Sequence, residues 1–249
     1  MSAGVRARPS PQLLSRREVL AFGWLPFFRP KHIHLAGARF RIVRNGKAMR
    51  HYLQIHGDEE TARQVLTRHM ETHEGVAFLI ESQTRNVPIG MGQMDPNRMF
   101  SRAGAEANLK TLNPEWTEEQ LSAALAVLDH GRTHLVKALF PHDRRLLIAL
   151  HNNSEQYSVK DEVSISDATS IREPDNPHAF FLCTDPGDFQ LLSESAYNVV
   201  LQQKKPQADD GSLSRLAAER GARYVNLEVR MGNRDRQAEM LRWADWILP

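Results

Sequence analysis

The chain has 249 residues, 41% hydrophobic and 25% charged, the balance of an ordinary globular protein long enough for one large α/β domain or two small ones. Six of its 32 basic residues and only one of its 30 acidic residues fall in 1–38, so the remainder carries a net charge of −3, which argues against a general nucleic-acid surface. The single cysteine, Cys183, excludes an intrachain disulfide and any cysteine-rich metal site.

The N-terminal stretch Ser15-Arg16-Arg17-Glu18-Val19-Leu20 precedes a short apolar run from Val19 to Phe28, with Ala36-Gly37-Ala38 as a small-residue cleavage point. This pattern is similar to a twin-arginine export leader over 1–38, ahead of a catalytic domain over 39–249 in the periplasm or outside the cell. His32 and His34 alternate as metal ligands can, but fall in that leader. No other segment approaches the roughly 20 apolar residues of a membrane span, so no stable membrane anchor is expected once the leader is removed.

Arg39–Val43 and His51–Ile55 read as strands joined by a hairpin at Asn45-Gly46. Glu59–His73 has helical spacing through Ala62, Val65, Leu66 and Met70 and closes at Gly75. On it, His69 and His73 lie one turn apart, spaced for a metal but with no third partner in view, so a solvated face is expected. Val76–Ile80 reads as a buried strand. Thr117–Phe140 reads as a long amphipathic helix capped by Thr117. Strands follow at 145–150, 179–184 and 199–202, with a short helix near Phe189. A helix at 212–220, a strand at 223–229 and a last helix at 234–248 complete the pattern. Strands alternating with helices predict an α/β fold: a single-domain, mixed, mostly parallel sheet flanked by helices. Ligands in such sheets gather beyond the carboxyl ends of strands.

Those ends carry the chemistry. Ile55-His56-Gly57-Asp58-Glu59 puts an imidazole and a carboxylate three residues apart where a strand becomes a helix, and Leu150-His151-Asn152-Asn153 ends a second strand in histidine. Two His and one Glu give three ligands and leave one tetrahedral position for water, the arrangement of a catalytic zinc. Asp95-Pro96-Asn97-Arg98-Met99-Phe100 lies between them in sequence, and Asn226-Leu227-Glu228-Val229 ends a late strand in a carboxylate. Taken singly, each motif has a plainer reading. His56 reads as a strand-end histidine, Glu59 as a favourable charge in the first turn of its helix, Asn97-Arg98 as a polar turn, and Glu228 as a partner of Arg223 or Arg230.

In this order the motifs resemble the zinc carboxypeptidase superfamily, particularly its aspartoacylase and succinylglutamate desuccinylase branch, over about residues 40–248. The resemblance implies that His56, Glu59 and His151 hold Zn²⁺ and that Glu228 acts as general base and then general acid. It also implies that Arg98, assisted by Asn97, clamps a substrate carboxylate. A second cation should steady the oxyanion, for which Arg85 lies in the right region. A Tyr over the substrate is expected between His151 and Glu228, where Tyr157 and Tyr197 both fall. The expected enzyme is compact, without the C-terminal β-rich domain usual in that branch. It is a zinc-dependent amidohydrolase or metallocarboxypeptidase cleaving an amide bond beside a free carboxylate in a peptide, including cell-wall peptides. The alternatives are an N-acyl-amino-acid deacylase and a non-catalytic binding protein on the same fold.

Overall fold

The structure, a computed structural model, describes residues 31–47, 49–140, 145–204 and 208–249. In chain order it forms β1 (Lys31–Leu35), β2 (Ala38–Asn45), β3 (His51–Gln54), α1 (Glu60–His69), β4 (Gly75–Ile80) and the two-stranded hairpin β5 (Val87–Ile89) and β6 (Gly92–Met94). A 3-10 turn at Pro96–Arg98 then leads to α2 (Arg102–Leu112), α3 (Glu118–Leu139), β7 (Leu147–Asn153), α4 (Val159–Val163), β8 (Ala168–Ser170) and β9 (Phe180–Cys183). Last come α5 (Pro186–Leu192), β10 (Asn198–Leu201), α6 (Leu213–Arg220), β11 (Tyr224–Arg230) and α7 (Arg234–Ile247).

Nine strands form one mixed sheet in the order β1-β2-β4-β3-β7-β11-β9-β10-β8. Its centre, β4-β3-β7-β11, is parallel throughout. Helices cover both faces because alternate residues of the central strands point in opposite directions. Leu147 and Ala149 pack with Leu109 of α2, Leu128 and Leu135 of α3 and Ala217 of α6. Ile148 and Leu150 pack with Leu66 of α1, Leu192 of α5 and Met240 of α7. The expected α/β fold is the one observed. Cys183 lies in the second of these cores, where burial raises its thiol pKa well above the ordinary value and keeps it protonated.

One local expectation is corrected. Asn45-Gly46 does turn the chain, with Gly46 at φ +57°, but β2 and β3 do not pair. β4 enters between them, antiparallel to β2 and parallel to β3. All four residues of β3 are buried, so it needs a neighbour on each side, and long-range pairing with β4 and β7 overrides the local hairpin signal. The hairpin lies earlier, between β1 and β2, at Ala36-Gly37. Residues 31–38, expected as the end of a leader, are therefore this edge strand and its turn, with Leu35 and Ala38 buried. The compact unit of the described residues spans Lys31–Pro249. The His32/His34 alternation is that of a strand: Ile33 and Leu35 face the core, while His32 points outward and pairs with Glu81 at 3.2 Å. Arg16-Arg17 lies outside the described residues. Among the described residues no helix is long and apolar enough to cross a membrane.

Candidate active site

The carboxyl ends of β3, β7 and β11 meet at one edge of the sheet. Beyond β3 the chain reaches His56, then Gly57, where a Cβ would lie 2.5 Å from the Thr84 carbonyl oxygen and 2.6 Å from the Ser82 carbonyl carbon. Only glycine lets the chain run this close to residues 82–84. Glu59 occupies the N-cap position of α1 but makes no side-chain cap bond. Its carboxylate instead turns to the two imidazoles, with Oε1 2.7 Å from His56 Nδ1 and Oε2 3.4 Å from His151 Nδ1. The rings of His56 and His151 stand edge-on with centroids 5.1 Å apart. Asn152 completes the helix start in place of Glu59, its Oδ1 accepting from Ala62 N at 2.8 Å.

The trio is buried, with His56 1%, Glu59 2% and His151 4% exposed. Burial opposes charge on each group, yet the groups charge one another. Glu59 and the hydrogen bond to Asp95 outweigh desolvation at His56 and raise its pKa to about 9, while the two imidazoles lower Glu59 to about 2. One potential ligand atom from each of the three lies within 4.8 Å of the others. Glu59 Oε2 is buried and has only the long 3.4 Å approach of His151 Nδ1 in place of a hydrogen bond, a costly state unless a cation meets it. Two imidazole nitrogens and a carboxylate suit zinc or a similar borderline metal, so the residues fit the implied group. A metal and a proton would compete for His56.

Around the trio stand residues that set its geometry. Asp95 Oδ1 lies 2.9 Å from His56 Nε2, which fixes the ring and leaves Nδ1 facing Glu59. His56 and Asp95 hold each other charged, keeping Asp95 well below the ordinary carboxylate range. Arg85 reaches both carboxylates, 3.5 Å from Glu59 Oε1 and 3.3 Å from Asp95 Oδ2. The backbone carbonyl oxygens of the two histidines are also tied down, His56 by Gln54 and His151 by Gln237 at 2.9 Å.

Glu228 faces His151 directly across the parallel β7–β11 pair, so both side chains emerge on one face. It does not pair with Arg223 or Arg230, which bind Asp188 and Glu155. Its carboxylate accepts from Asn226 Nδ2 at 3.1 Å and from Asn153 Nδ2 at 3.3 Å. Burial raises its pKa and the nearby charge of Glu59 adds to the rise, against His151 and Asn226. That environment favours a proton carrier over a permanently charged group.

A cleft of about 780 Å³ opens over these groups, and Asn97, Arg98 and Arg85 line it. Arg98 lies 3.2 Å from Asp210, while Asn97 Oδ1 accepts from Leu213 N at 3.1 Å and so holds the start of α6. Tyr157 lines the cleft and donates to Glu162 at 2.7 Å. Tyr197 packs in the core on the opposite face of the sheet, under Arg236, so of the two tyrosines only Tyr157 reaches the cleft. Asp95 and Asn226 both fall within the sequence motifs above, but neither is given a role there. Both are visible afterwards as polar residues two positions from a named one.

No protein-family profile and no curated protein matches the chain. Among solved structures it is similar to a candidate metallopeptidase of Shewanella baltica, at 13% identity and a TM-score of 0.47, over 87% of this chain and 84% of that one. The ectoine utilization protein EutE of Ruegeria pomeroyi aligns over 83% of this chain and 59% of its own, at 14% identity and a TM-score of 0.43. N-formylglutamate amidohydrolase of Ralstonia eutropha aligns over 84% and 97%, at 12% identity and a TM-score of 0.33. Two of the three names are those of amide hydrolases. Likenesses this distant add no argument of their own, and the fold and site rest on the geometry above.

Proposed function

We propose that the protein is a zinc-dependent amidohydrolase that cleaves an amide bond beside a free carboxylate, with peptides as the preferred substrate class. The observation that supports this reading most is the position of Glu228, a buried and easily protonated carboxylate one strand away from the His56–Glu59–His151 trio in the same cleft. A binding protein has no use for an acid–base group there. Zn²⁺ held by the trio would act as a Lewis acid on the amide carbonyl and lower the pKa of water to about 7. Glu228 takes one proton from the attacking water as its oxygen adds to the carbonyl carbon, and returns that proton to the amine nitrogen as the carbon–nitrogen bond breaks. Arg85 faces the oxygen on which negative charge develops. Arg98, with Asn97 beside it, takes the substrate carboxylate through a two-pronged hydrogen-bonded pair, replacing its present partner Asp210.

The deciding experiment screens peptides and N-acyl amino acids with wild type and Glu228→Gln. Activity should fall by at least about 10²-fold in the variant, the low end of a general acid–base contribution. Metal content should not change. An active Glu228→Gln enzyme refutes the assignment. A preference for N-acyl amino acids over peptides selects the deacylase alternative. Export through Arg16-Arg17 would place cell-wall peptides among the substrates, and it is tested by following the chain into the periplasm with Arg16→Lys/Arg17→Lys.

A further inference from the structure

The pair His69 and His73, expected on a solvated face, has a different setting. His69 is buried, and its missing partner comes from the far end of the chain: Nε2 lies 3.1 Å from Asp245 Oδ2 on α7. The two imidazoles stack with centroids 3.8 Å apart and planes inclined by 12°, so their in-plane lone pairs run side by side, and the more exposed His73 ring must turn for both to meet one ion. One potential ligand atom each from His69, His73 and Asp245 lies within 4.8 Å of the others.

His73 and Asp245 are oriented by bonds to their other atoms, while His69 Nε2, which now donates to Asp245, would give up its proton to an incoming ion. His73 Nδ1–H donates to the His69 carbonyl oxygen at 3.2 Å, with Thr72 Oγ1 2.9 Å from the same nitrogen. That bond fixes the tautomer and leaves the Nε2 lone pair outward. Asp245 is anchored through its other oxygen, Oδ1, which accepts from Tyr52 OH at 2.7 Å and from Arg50. Oδ2 is thereby presented to the imidazoles. A surface cleft of about 760 Å³ between α1 and α7 reaches His69 and His73, with room for water on the open side of an ion.

We propose that His69, His73 and Asp245 form a second transition-metal site, which clamps the last turn of α1 to α7. It lies about 15 Å along α1 from Glu59, too far to share an ion with the first site. The donor set names the metal class. One carboxylate, already partnered by Arg50, is too little for Ca²⁺ or Mg²⁺, which need several oxygens. Two imidazoles at i and i+4 suit Zn²⁺, Ni²⁺ or Cu²⁺.

The test titrates Zn²⁺ into metal-stripped wild type, His73→Ala and His56→Ala by calorimetry, with the thermal midpoint followed in parallel. His73 is partly exposed, so its loss leaves the fold intact. Wild type should take up two equivalents and His73→Ala one, with hydrolytic activity retained. His56→Ala should also take up one, without activity, and its midpoint should still rise on zinc addition. The proposal is overturned if His73→Ala matches wild type in stoichiometry and in zinc-induced midpoint shift, which would leave His69 and Asp245 as an ion pair only. Failure of the hydrolase reading would show separately, as activity indifferent to His56.

Discussion

Asp95 shows how much of the site depends on a residue behind the cleft wall, absent from its lining. It is the only partner of His56 Nε2 among the described residues, and its second oxygen meets Arg85. Asp95→Ala should therefore leave the three ligands in place but lower zinc affinity by about 10–100-fold, measured by competition with a chromogenic chelator. An unchanged affinity would mean that packing alone orients the His56 ring. His56, Glu59, His151 and Glu228, which line one cleft, stood out in the sequence because each ends or follows an apolar strand, where only a few side chains can face one edge of a sheet. Their helpers were harder to see. Asn153 follows a strand-end histidine as a loop former would, and Asn226 sits inside a strand with no visible task, until the register of β7 and β11 sets both beside Glu228.

The long helix α3 is the clearest case of an element written locally. Thr117 Oγ1 accepts from Gln120 N, and Gln120 Oε1 accepts from Thr117 N at 2.9 Å, a complete capping box. Thr117→Ala should cost about 1 kcal/mol, read as a lower urea midpoint at unchanged slope. A capped, periodic helix needs no tertiary information to be recognised. Strand partners do need it: β2 and β3 were each correctly located, yet β4 is inserted between them. The helix α2 escaped notice because Arg102–Leu112 buries only Gly104, Ala105 and Leu109, too weak an apolar stripe to stand out.

At the scale of the whole molecule, α7 closes the structure by returning Asp245 to β3 and α1. Burial would raise the Asp245 pKa, but hydrogen bonds from His69 and Tyr52 and the charge of Arg50 lower it to about 2. A carboxylate depressed in the fold stabilises it above the unfolded pKa near 3.8, and that contribution is lost as pH falls through about 2. In chelator, urea stability should fall across this window, and Asp245→Asn should flatten the fall. The alternation of strands and helices made the α/β class legible throughout, whereas meetings between distant residues such as His69 and Asp245 depend on how the layers close. The cleft over the His56–Glu59–His151 trio has one further property. Five acidic side chains, Asp58, Glu59, Glu162, Asp210 and Glu228, line it against three arginines, 85, 98 and 215. With His56 held protonated by its two carboxylates and Glu228 inclined to keep its proton, these charges nearly cancel, so the empty cleft has no strong field of either sign. A dication that displaced the His56 proton would tip the sum to the positive side, and a carboxylate-bearing guest would then be drawn in after the metal rather than before it.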